Sequence, residues 1–511
     1  MKIFNVKHLA EADKITIKKE GIASVELMER ASTQVFKEIH KRLGNAQIPI
    51  KIFCGIGNNG GDGLVVGRLL LEEGYNVTIY VVNFTKERSG DFLINYNRLK
   101  ENGFSWPVLL KSEDDFPELS PGDFIIDAIF GIGLNRPAEG WVANLIRYIN
   151  NSNAFILSID MPSGLFSTKI PAPQDAVIKA NYTLTFQSPK LVFYLPKTAE
   201  FVGDMQVLDI GLDRDYLQSA PAQAFLVDKE EAVKLYIPRK TFSHKGDYGH
   251  SLIIGGSYGK IGSVFLTASA ALRTGAGLVS IYSPECGYEI LQGLLPEAMV
   301  ITDEGEKELI KIEYDIEPNV VCLGMGAGTS QNTAAAFEEL LKRQKNPVVI
   351  DADGLNIISK NKELLELLPP ESVITPHPRE LERLIGKWKN DFDKIKKAKK
   401  ISLKYKIIIV MKDAHTLIVS GEELFVNNTG NPGMATAGAG DVLAGVITGL
   451  ISQKYKPLQA AVLGTYLHGK AGDFAAARLS YQSMIAGDIT ANIGNAYLDL
   501  FTNDAEQFRN E

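Results

Sequence analysis

The fold is indicated most clearly by residues 50–82, which read IKIFCGIGNNGGDGLVVGRLLLEEGYNVTIYVV. Its apolar start, residues 50–55, predicts a buried strand, and NVTIYVV at residues 76–82 predicts another. Between them a glycine-rich turn, GNNGGDG, leads into LVVGRLLLEEG, which has helical periodicity. A strand, a helix and a second strand in this order form a βαβ unit, which joins parallel strands.

The alternation of strands and helices continues beyond this unit, which is typical of a parallel sheet covered by helices. In the first part of the chain, further strands are predicted at residues 123–131, 154–160, 181–187 and 205–211. This pattern predicts a Rossmann-like domain with three layers, α/β/α.

A polar stretch, DRDYLQSAPAQ, interrupts the alternation, and we place a boundary near residue 215, which gives domains at residues 1–215 and 216–511. Strands are predicted again at residues 251–256, 277–283, 319–326, 347–354, 372–378 and 406–413. Residues 416–427 predict a hairpin that turns at Ser420 and Gly421. Helices follow from about Ala439, including an alanine-rich one at residues 457–478. The second domain is therefore also predicted to be α/β.

Length and composition agree with two globular domains, because 511 residues exceed one ordinary core. The chain is 45% hydrophobic and 23% charged, which excludes a largely disordered protein. A net charge of −7 offers no basic surface for nucleic acid or a membrane. No apolar run has the length of a signal peptide or a membrane span, so we expect a cytoplasmic enzyme. Cys54, Cys286 and Cys322 are widely spaced in apolar sequence, which predicts buried, inert thiols.

Three strand ends of the first domain carry polar side chains. GIGNNGGDG at residues 55–63 joins a strand to a helix, where free backbone N–H groups favour anions, although such a turn also serves close packing alone. It is not a Walker loop, because no Lys-Ser/Thr pair follows. DAIFGIGLNRP begins with Asp127, and SIDMPSG contains Asp160 and Ser163. One such acid can be a helix cap, but three ends at the carboxyl edge of one sheet predict a ligand site.

In the second domain the most informative stretch is NPGMATAGAGDVLAGVITGL at residues 431–450. GAGD opens a helix, so Gly438 to Gly440 present backbone N–H groups to an anion, and Asp441 is placed to accept a proton from a hydroxyl. The alternative is a helix start with glycines for packing. Further strand ends carry LGMGAG, DADGLN, TPHPRELERL and KDAHT, in which His377 could simply cap a turn.

The first-domain motifs NNGGDG, DAIFGIGL and DMPSGL resemble the NAD(P)H-hydrate epimerase family over about residues 1–215. The resemblance implies interconversion of the R and S forms of hydrated NAD(P)H, with potassium bound by Asn59, Asp127 and Ser163. Asp160 is our candidate acid/base residue, because an enclosed carboxyl can have a pKa suited to proton transfer. The resemblance assigns substrate contacts to Asn58, Asn59, Gly60, Gly61, Asp62, Gly131, Ile132, Gly133, Leu134, Asn135, Arg136, Pro137 and Asp160. Ile132 and Met161 depart from the family pattern.

HKGDYG, GSYGKIGS, RTGAG, DADGLN, TPHPRE, KDAHT and GAGD resemble, in this order, the nucleotide-dependent NAD(P)H-hydrate dehydratases, a branch of the ribokinase-like fold, over residues 220–505. The resemblance assigns the hydrated coenzyme to Ala276, Gly326, His377, Pro378, Arg379, Glu380, Leu381, Glu382, Arg383 and the base Asp441. It assigns the nucleotide to Lys412, Asp413, Ala414, His415, Thr416, Asn431, Pro432, Gly433, Met434, Ala435, Thr436, Ala437, Gly438, Ala439 and Gly440. Arg379, Asp413 and Ala437 depart from the family pattern, and a carboxylate at 413 would repel phosphates unless it faces away or meets magnesium.

The implied reaction transfers a phosphoryl group from ADP, our preferred donor, or ATP to the ring hydroxyl, after which phosphate leaves and the C=C bond is restored. Magnesium is expected with the nucleotide, NADHX and NADPHX are the expected substrates, and a homo-oligomer is expected. Two alternatives stay open at this point. The second domain could be a ribokinase-like kinase of a small alcohol, and the first domain could be a non-catalytic nucleotide-binding module.

Overall fold

The glycines of residues 50–82 explain how closely the helix of this stretch approaches the sheet. The structure, a computed structural model, describes residues 1–44, 46–101, 103 and 106–502. The helix begins at Asn58, so most of the segment predicted as a turn forms the first helical turns instead. A Cβ atom on Gly60 would stand 1.8 Å from the carbonyl oxygen of Gly55. The absence of a Cβ therefore lets the helix start directly on the end of the preceding strand.

The chain forms two compact units, Lys2–Ala224 and the part from Phe225 onward. The predicted boundary near residue 215 falls within a short helix, Arg214–Ser219. Residues 503–511 of the predicted second domain lie outside the described residues. Among the described residues, no helix is long and apolar enough to cross a membrane.

The first unit is built on a seven-stranded sheet whose neighbouring strands are all parallel. The strands of this part of the chain are β1 (Lys2–Ile3), β2 (Ile50–Cys54), β3 (Val77–Val82), β4 (Val108–Leu110), β5 (Phe124–Ala128), β6 (Phe155–Ile159), β7 (Tyr182–Phe186) and β8 (Asp204–Leu208). Its helices are α1 (Val6–Glu20), α2 (Ser24–Leu43), α3 (Asn58–Glu72), α4 (Gly90–Glu101), α5 (Gly140–Asn150) and α6 (Arg214–Ser219). The strand order is β4-β3-β2-β5-β6-β7-β8, so β1 is not one of the seven strands of this sheet.

Apolar side chains of one strand enter two different cores in this unit. Ile52 and Cys54 of β2 pack in one cluster with α2 and α3, whereas Phe53 packs in a second cluster with α5. Successive side chains of a strand point to opposite faces, so both faces of the sheet are covered. The three-layer α/β/α prediction is confirmed.

The second unit has a larger, mostly parallel sheet. Its strands are β9 (Ala224–Val227), β10 (His250–Ile254), β11 (Leu278–Ser283), β12 (Met299–Thr302), β13 (Val320–Leu323), β14 (Val348–Ile350), β15 (Val373–Ile374), β16 (Ile408–Met411), β17 (Leu417–Ser420) and β18 (Glu423–Asn427). The order is β9-β18-β17-β16-β15-β14-β13-β10-β11-β12. The predicted hairpin is present as antiparallel β17 and β18, with Gly421 at positive φ in the turn.

The helices of the second unit supply one large core. They are α7 (Lys229–Leu235), α8 (Ile261–Thr274), α9 (Tyr288–Leu294), α10 (Gln331–Arg343), α11 (Asp353–Lys360), α12 (Pro378–Ile385), α13 (Asp391–Tyr405), α14 (Ala439–Ser452), α15 (Pro457–Leu479), α16 (Ala486–Ala491) and α17 (Ile493–Asp499). Helices α8, α14 and α15 contribute many of the buried residues of this core, so the helix that follows GAGD is held from several sides. Cys54 and Cys322 are buried as predicted, but Cys286 is only partly buried because it lies in a short 3-10 turn after β11.

Candidate functional site

Asp127 is the centre of a buried hydrogen-bond cluster at the carboxyl end of β5. Its carboxylate accepts hydrogen bonds from Ser158 Oγ at 2.8 Å, from the Ser163 amide at 2.8 Å and from Ser163 Oγ. The amide of Ile129 donates to it at 3.3 Å. Burial nevertheless raises the pKa of Asp127, because the carboxyl group has no contact with solvent.

The carbonyl oxygen of Phe130 brings Asn59 into the same cluster. It accepts hydrogen bonds from Asn59 Nδ2 at 3.1 Å and from Ser163 Oγ at 3.3 Å. A Cβ atom on Gly131 would stand 3.1 Å from the Asn59 Cβ, so the chain passes directly over Asn59. The structure thus gathers oxygen atoms of Asn59, Asp127, Ser163 and Phe130, which is a donor set that suits a hard cation of low charge.

Asp160 follows β6 in a left-handed conformation, with φ of 63°. Its Oδ1 accepts a hydrogen bond from Lys190 Nζ at 2.6 Å, and both side chains are almost fully buried. Thr185 Oγ1 and the Phe186 amide donate to the same oxygen, each at 3.3 Å. The candidate acid/base residue is therefore half of a buried ion pair between the ends of β6 and β7.

Two further carboxyl groups interact electrostatically with Asp160. Asp62 of α3 is buried, and Ser32 Oγ donates to it at 2.8 Å. Burial raises the pKa of Asp62 well above its usual range, and the charges of Asp160 and Asp13 raise it further. Burial and the charge of Asp160 raise the pKa of Asp13, on α1, to about 6. The site is therefore an acidic pocket with one buried cation, Lys190, beside Asp160.

In the second domain, Asp441 lies in the first turn of α14, directly after Gly438 to Gly440. Burial raises the pKa of Asp441 to about 7, and the charge of Asp351 adds to the rise, while a hydrogen bond from Ser263 lowers it. Gly438 has a φ of 87°, a conformation that favours glycine at the N-cap of this helix. A carboxyl group that titrates near neutrality beside free helix N–H groups is suited to act as a base.

Lys412 connects this helix start to the strand ends of β14 and β16. Its Nζ donates to Asp351 Oδ1 at 2.8 Å and to Asp351 Oδ2 at 3.0 Å. A Cβ atom on Gly440 would stand 3.1 Å from Lys412 Nζ, so the ammonium group lies against the backbone of the predicted anion hole. The ammonium group and the helix start together attract negative charge.

His377 caps helix α12 rather than standing free. The Arg379 amide donates to His377 Nδ1 at 3.1 Å, and the His377 amide donates to Glu380 Oε2 at 2.9 Å. Burial raises the pKa of Glu380 to about 7, although the charge of Lys412 opposes the rise. Burial and the neighbouring charge of Lys412 lower the pKa of His377. His377 therefore caps α12, as the alternative interpretation predicted, and it also lies close enough to Lys412 to interact with its charge.

Comparisons with known proteins find family models that match part of each domain and relatives that match almost the whole chain. Residues 24–192 match the family model described as YjeF-related protein N-terminus, and residues 251–495 match that described as NAD(P)H-hydrate dehydratase. The bifunctional NAD(P)H-hydrate repair enzyme Nnr of Moorella thermoacetica is 35% identical over 96% of this chain and 95% of its own. The enzyme of the same name from Escherichia coli is 32% identical over 93% and 89%.

The chain belongs to the family of bifunctional NAD(P)H-hydrate repair enzymes. Among solved structures, a ribokinase-like superfamily protein of Enterococcus faecalis is 25% identical, with a TM-score of 0.49, over 55% of this chain and 98% of its own. An ADP/ATP-dependent NAD(P)H-hydrate dehydratase of Bacillus subtilis, co-crystallised with ATP and Mg²⁺, is 24% identical, with a TM-score of 0.49, over 54% and 99%. The family resemblance and the two-domain α/β fold predicted from the motifs are confirmed.

Within this repair enzyme, the structure brings most of the predicted first-domain residues to one sheet edge. Residues 58–62 form the start of α3, and residues 131–137 lie in the partly exposed loop between β5 and α5. Ile132 of this loop lines a small cavity together with Lys190 and Ser167. The loop and the Asp160 pocket are therefore neighbours.

The predicted coenzyme residues of the second domain separate into two groups. Gly326 lies close to Ser263, since a Cβ atom on Gly326 would stand 3.1 Å from the Ser263 Cβ, and Ser263 donates to Asp441. Ala276 lies beyond the other end of α8 and lines a separate cavity of about 370 Å³ with Arg239 and Lys245. The twelve helical residues from Ser263 to Thr274 span about 17 Å, so the structure does not bring Ala276 to Asp441.

The predicted nucleotide residues lie in two segments, 412–416 and 431–440. Asp413 is ion-paired with Lys394 at 3.6 Å, so its charge is partly compensated. Asn431 Nδ2 donates to Asp473 at 3.0 Å, beside an open cavity of about 430 Å³ that Tyr481 also lines. Of the predicted coenzyme residues in TPHPRELERL, Leu381 is buried, Glu382 is half-buried, and Pro378, Arg379 and Arg383 are exposed.

Several residues of the two sites were missed by the sequence analysis. Lys190 follows the predicted strand at residues 181–187, so its position at a strand end was the available signal. Ser263 lies in GSYGKIGS and Asp351 opens DADGLN, both of which were recognised as motifs without being assigned. Ser158, which donates to Asp127, opens SIDMPSG, a motif that was recognised without Ser158 being assigned.

Proposed function

We propose that this chain repairs hydrated NADH and NADPH in two steps. The first domain interconverts the R and S hydrates, and the second domain dehydrates the S hydrate at the expense of ADP or ATP. The observation that carries the proposal is that each domain has a carboxyl group withdrawn from solvent at the carboxyl edge of its sheet, the buried Asp160 in one and the half-buried Asp441 in the other. The chain that holds both groups matches a repair enzyme over 95% of that enzyme's length.

In the first domain, Asp160 handles the proton that moves during epimerisation. Inversion at the carbon that carries the added hydroxyl is possible when the hydroxyl gives its proton to Asp160, its C–O bond becomes a double bond, and the bond from that carbon to the ring nitrogen breaks as the nitrogen takes up the proton. The same steps in reverse close the ring on the other face. Because the carboxylate returns the proton that it accepts, the isomerisation consumes no proton overall. Asn58 to Asp62 and residues 131–137 would hold the rest of the coenzyme.

A potassium ion fits the oxygen cluster of Asn59, Asp127, Ser163 and Phe130. Bound there, it would supply a positive charge that fixes the coenzyme phosphates beside the start of α3. Replacing K⁺ by a large organic cation should slow epimerisation, and Ser163→Ala should raise the K⁺ concentration needed for half-maximal rate. Epimerisation that is unaffected by both changes would argue against the ion.

In the second domain, Asp441 accepts the proton of the substrate hydroxyl while the hydroxyl oxygen attacks the terminal phosphorus of the nucleotide. The P–O bond to the remaining nucleotide breaks as the new P–O bond forms, and the helix start with Lys412 stabilises the negative charge. The C–O bond then breaks and its electron pair leaves with the phosphate. The neighbouring carbon loses a proton to water, and the electron pair of that C–H bond forms the restored C=C bond. Mg²⁺ would accompany the nucleotide phosphates, and ADP is our preferred donor. A homo-oligomer and a cytoplasmic location stay predictions.

The test mixes the purified chain with hydrated NADPH and each nucleotide, and follows the absorbance of reduced nicotinamide. We expect the absorbance to return only when nucleotide and Mg²⁺ are both present. Equal recovery without nucleotide would exclude the phosphoryl-transfer mechanism. Nucleotide consumption with a stable phosphorylated product, and no recovered absorbance, would indicate a small-molecule kinase instead.

A further inference from the structure

Lys190 is a buried cation, and the proposed epimerase mechanism assigns it no role. Its side chain is 3% exposed. Its Nζ lies 2.6 Å from Asp160 Oδ1, 2.6 Å from Thr185 Oγ1 and 3.4 Å from the carbonyl oxygen of Phe186. All three ammonium hydrogens therefore have an acceptor, so Lys190 is held in one orientation rather than free to donate a proton to a ligand.

The contacts of Asp160 are divided unequally between its two oxygens. Oδ1 accepts from Lys190, from Thr185 and from the Phe186 amide. Within the part of the chain that the structure describes, Oδ2 has no hydrogen-bond partner. One oxygen is thus fixed, and the other is left for the substrate.

The charges around Asp160 explain why a cation is needed at this place. When Asp62 on α3 and Asp13 on α1 are ionised, both repel a charged Asp160, and the charge of Lys190, which is paired with Asp160, counters this repulsion. A carboxyl group that is buried among other carboxyl groups tends to take up a proton, and an adjacent ammonium group prevents this. A protonated Asp160 would be unable to accept a proton from the hydrate.

We propose that Lys190 is a positioning residue of the epimerase, which keeps Asp160 as a carboxylate with its Oδ2 directed to the substrate. This inference rests on the proposed epimerase function. A purely structural ion pair is the competing explanation, although buried pairs contribute little net stability in general. The two explanations differ in the pH dependence that they predict.

The experiment compares Lys190→Gln, which removes the charge but retains a hydrogen-bond donor, with Lys190→Arg, which retains the charge. The intact chain is assayed for conversion of R hydrate to S hydrate over a range of pH. For Lys190→Gln we expect kcat to fall by about 10² or more with little change in KM. We also expect the acidic limb of its kcat/KM profile to move up by about 1–3 pH units. Lys190→Arg should leave the limb in place.

A matched control is available in the same domain. Lys51 forms an ion pair with Asp123 at 2.8 Å, near the start of β2 and just before β5, which is the opposite edge of the sheet. Lys51→Gln should leave both the epimerisation rate and the acidic limb unchanged. Dehydration of S hydrate by each variant reports whether the rest of the chain is intact.

A wild-type rate and limb for Lys190→Gln would overturn the inference, as would a loss of rate that is the same at every pH. If thermal unfolding shows that Lys190→Gln does not fold, the Arg variant decides. A folded Arg variant with an unmoved limb supports the inference, and a limb that moves upward overturns it. Failure of the proposed function is distinguishable, because the wild-type chain itself would then not interconvert the hydrates.

Discussion

Asp441 illustrates how function and stability oppose each other at a single residue. Its carboxyl group has a pKa of about 7, mainly because it is buried, with Asp351 raising it further and Lys412 acting against the rise. The folded state therefore binds a proton more tightly than the unfolded state does. The contribution of Asp441 to the free energy of unfolding is therefore most favourable below about pH 4, where the group is protonated in both states, and it falls as the pH rises towards 7. Above that pH the full cost of the buried charge remains.

Asp441→Asn should therefore abolish dehydration, retain nucleotide binding and raise the melting temperature of the second domain. The amide keeps the shape of the side chain but cannot accept the hydroxyl proton, and loss of such a group costs about 10² to 10⁴ in rate. The gain in melting temperature should be largest at and above about pH 7 and absent near pH 4. Calorimetry at several pH values and a dehydration assay test this. Near-normal turnover would show that another residue is the base, and His377 would be the next candidate.

Asp413 is an acidic residue within the predicted nucleotide-binding segment, and its charge is partly compensated by an ion pair with Lys394. Lys394 is 5% exposed and lies between Asp391 and Asp413. Lys394→Gln should raise the KM for the nucleotide roughly 3- to 10-fold, because it leaves the charge of Asp413 uncompensated. Adding Asp413→Asn should restore the KM, since the effects of substitutions at contacting residues are not additive. Lys397→Gln on the same helix, which breaks an ion pair with Asp393, is the control. Additive effects in the double variant would show that the pair does not act on the nucleotide.

At the scale of the element, the start of α3 depends on the absence of a Cβ at Gly60. A methyl group there would stand 1.8 Å from the carbonyl oxygen of Gly55, so the helix would have to move away from β2. Gly60→Ala should lower both the melting temperature of the first domain and its epimerisation rate, the latter by more than about 10². Gly57→Ala is the control, since nothing lies within 4 Å of a Cβ at Gly57, and its φ is negative. Similar losses in both variants would show that helix position is not the cause.

The same element shows what the sequence could and could not predict. The apolar run at residues 50–55 predicted β2 well, because a buried parallel strand is continuously apolar. The short edge strands β4 and β12 were missed, since three or four half-exposed residues carry no clear alternation. The helix start at Asn58 was missed because glycines and asparagines favour turns in isolation, whereas the approach to Gly55 is a tertiary contact.

The residues of the two sites likewise divide into those that the sequence predicted and those that it did not. Asp127, Asp160 and Ser163 were predicted because parallel strands end at one edge, so acids at strand ends converge. The partners Lys190 and Ser263 were missed because pairing depends on the distance between loops that the sequence does not give. Ala276 was assigned from a resemblance, and its place beyond the far end of α8 could not be read from a motif alone.

At the scale of the whole molecule, the two chemical steps belong to separate compact units with their own cores. Asp160→Ala should abolish conversion of R to S hydrate, while the second domain consumes S hydrate at its normal rate, because sites without shared partners act nearly independently. With both epimers present, the wild-type chain should run to completion, and the variant should stall once the S form is exhausted. Spontaneous epimerisation would blur this plateau, so the rate is measured against the chain that carries Asp160→Ala together with Asn59→Ala. If Asp160→Ala consumed R hydrate as fast as the wild-type chain, Asp160 would not be the epimerase residue. If the double variant did so too, the first domain would be a binding module and not an enzyme.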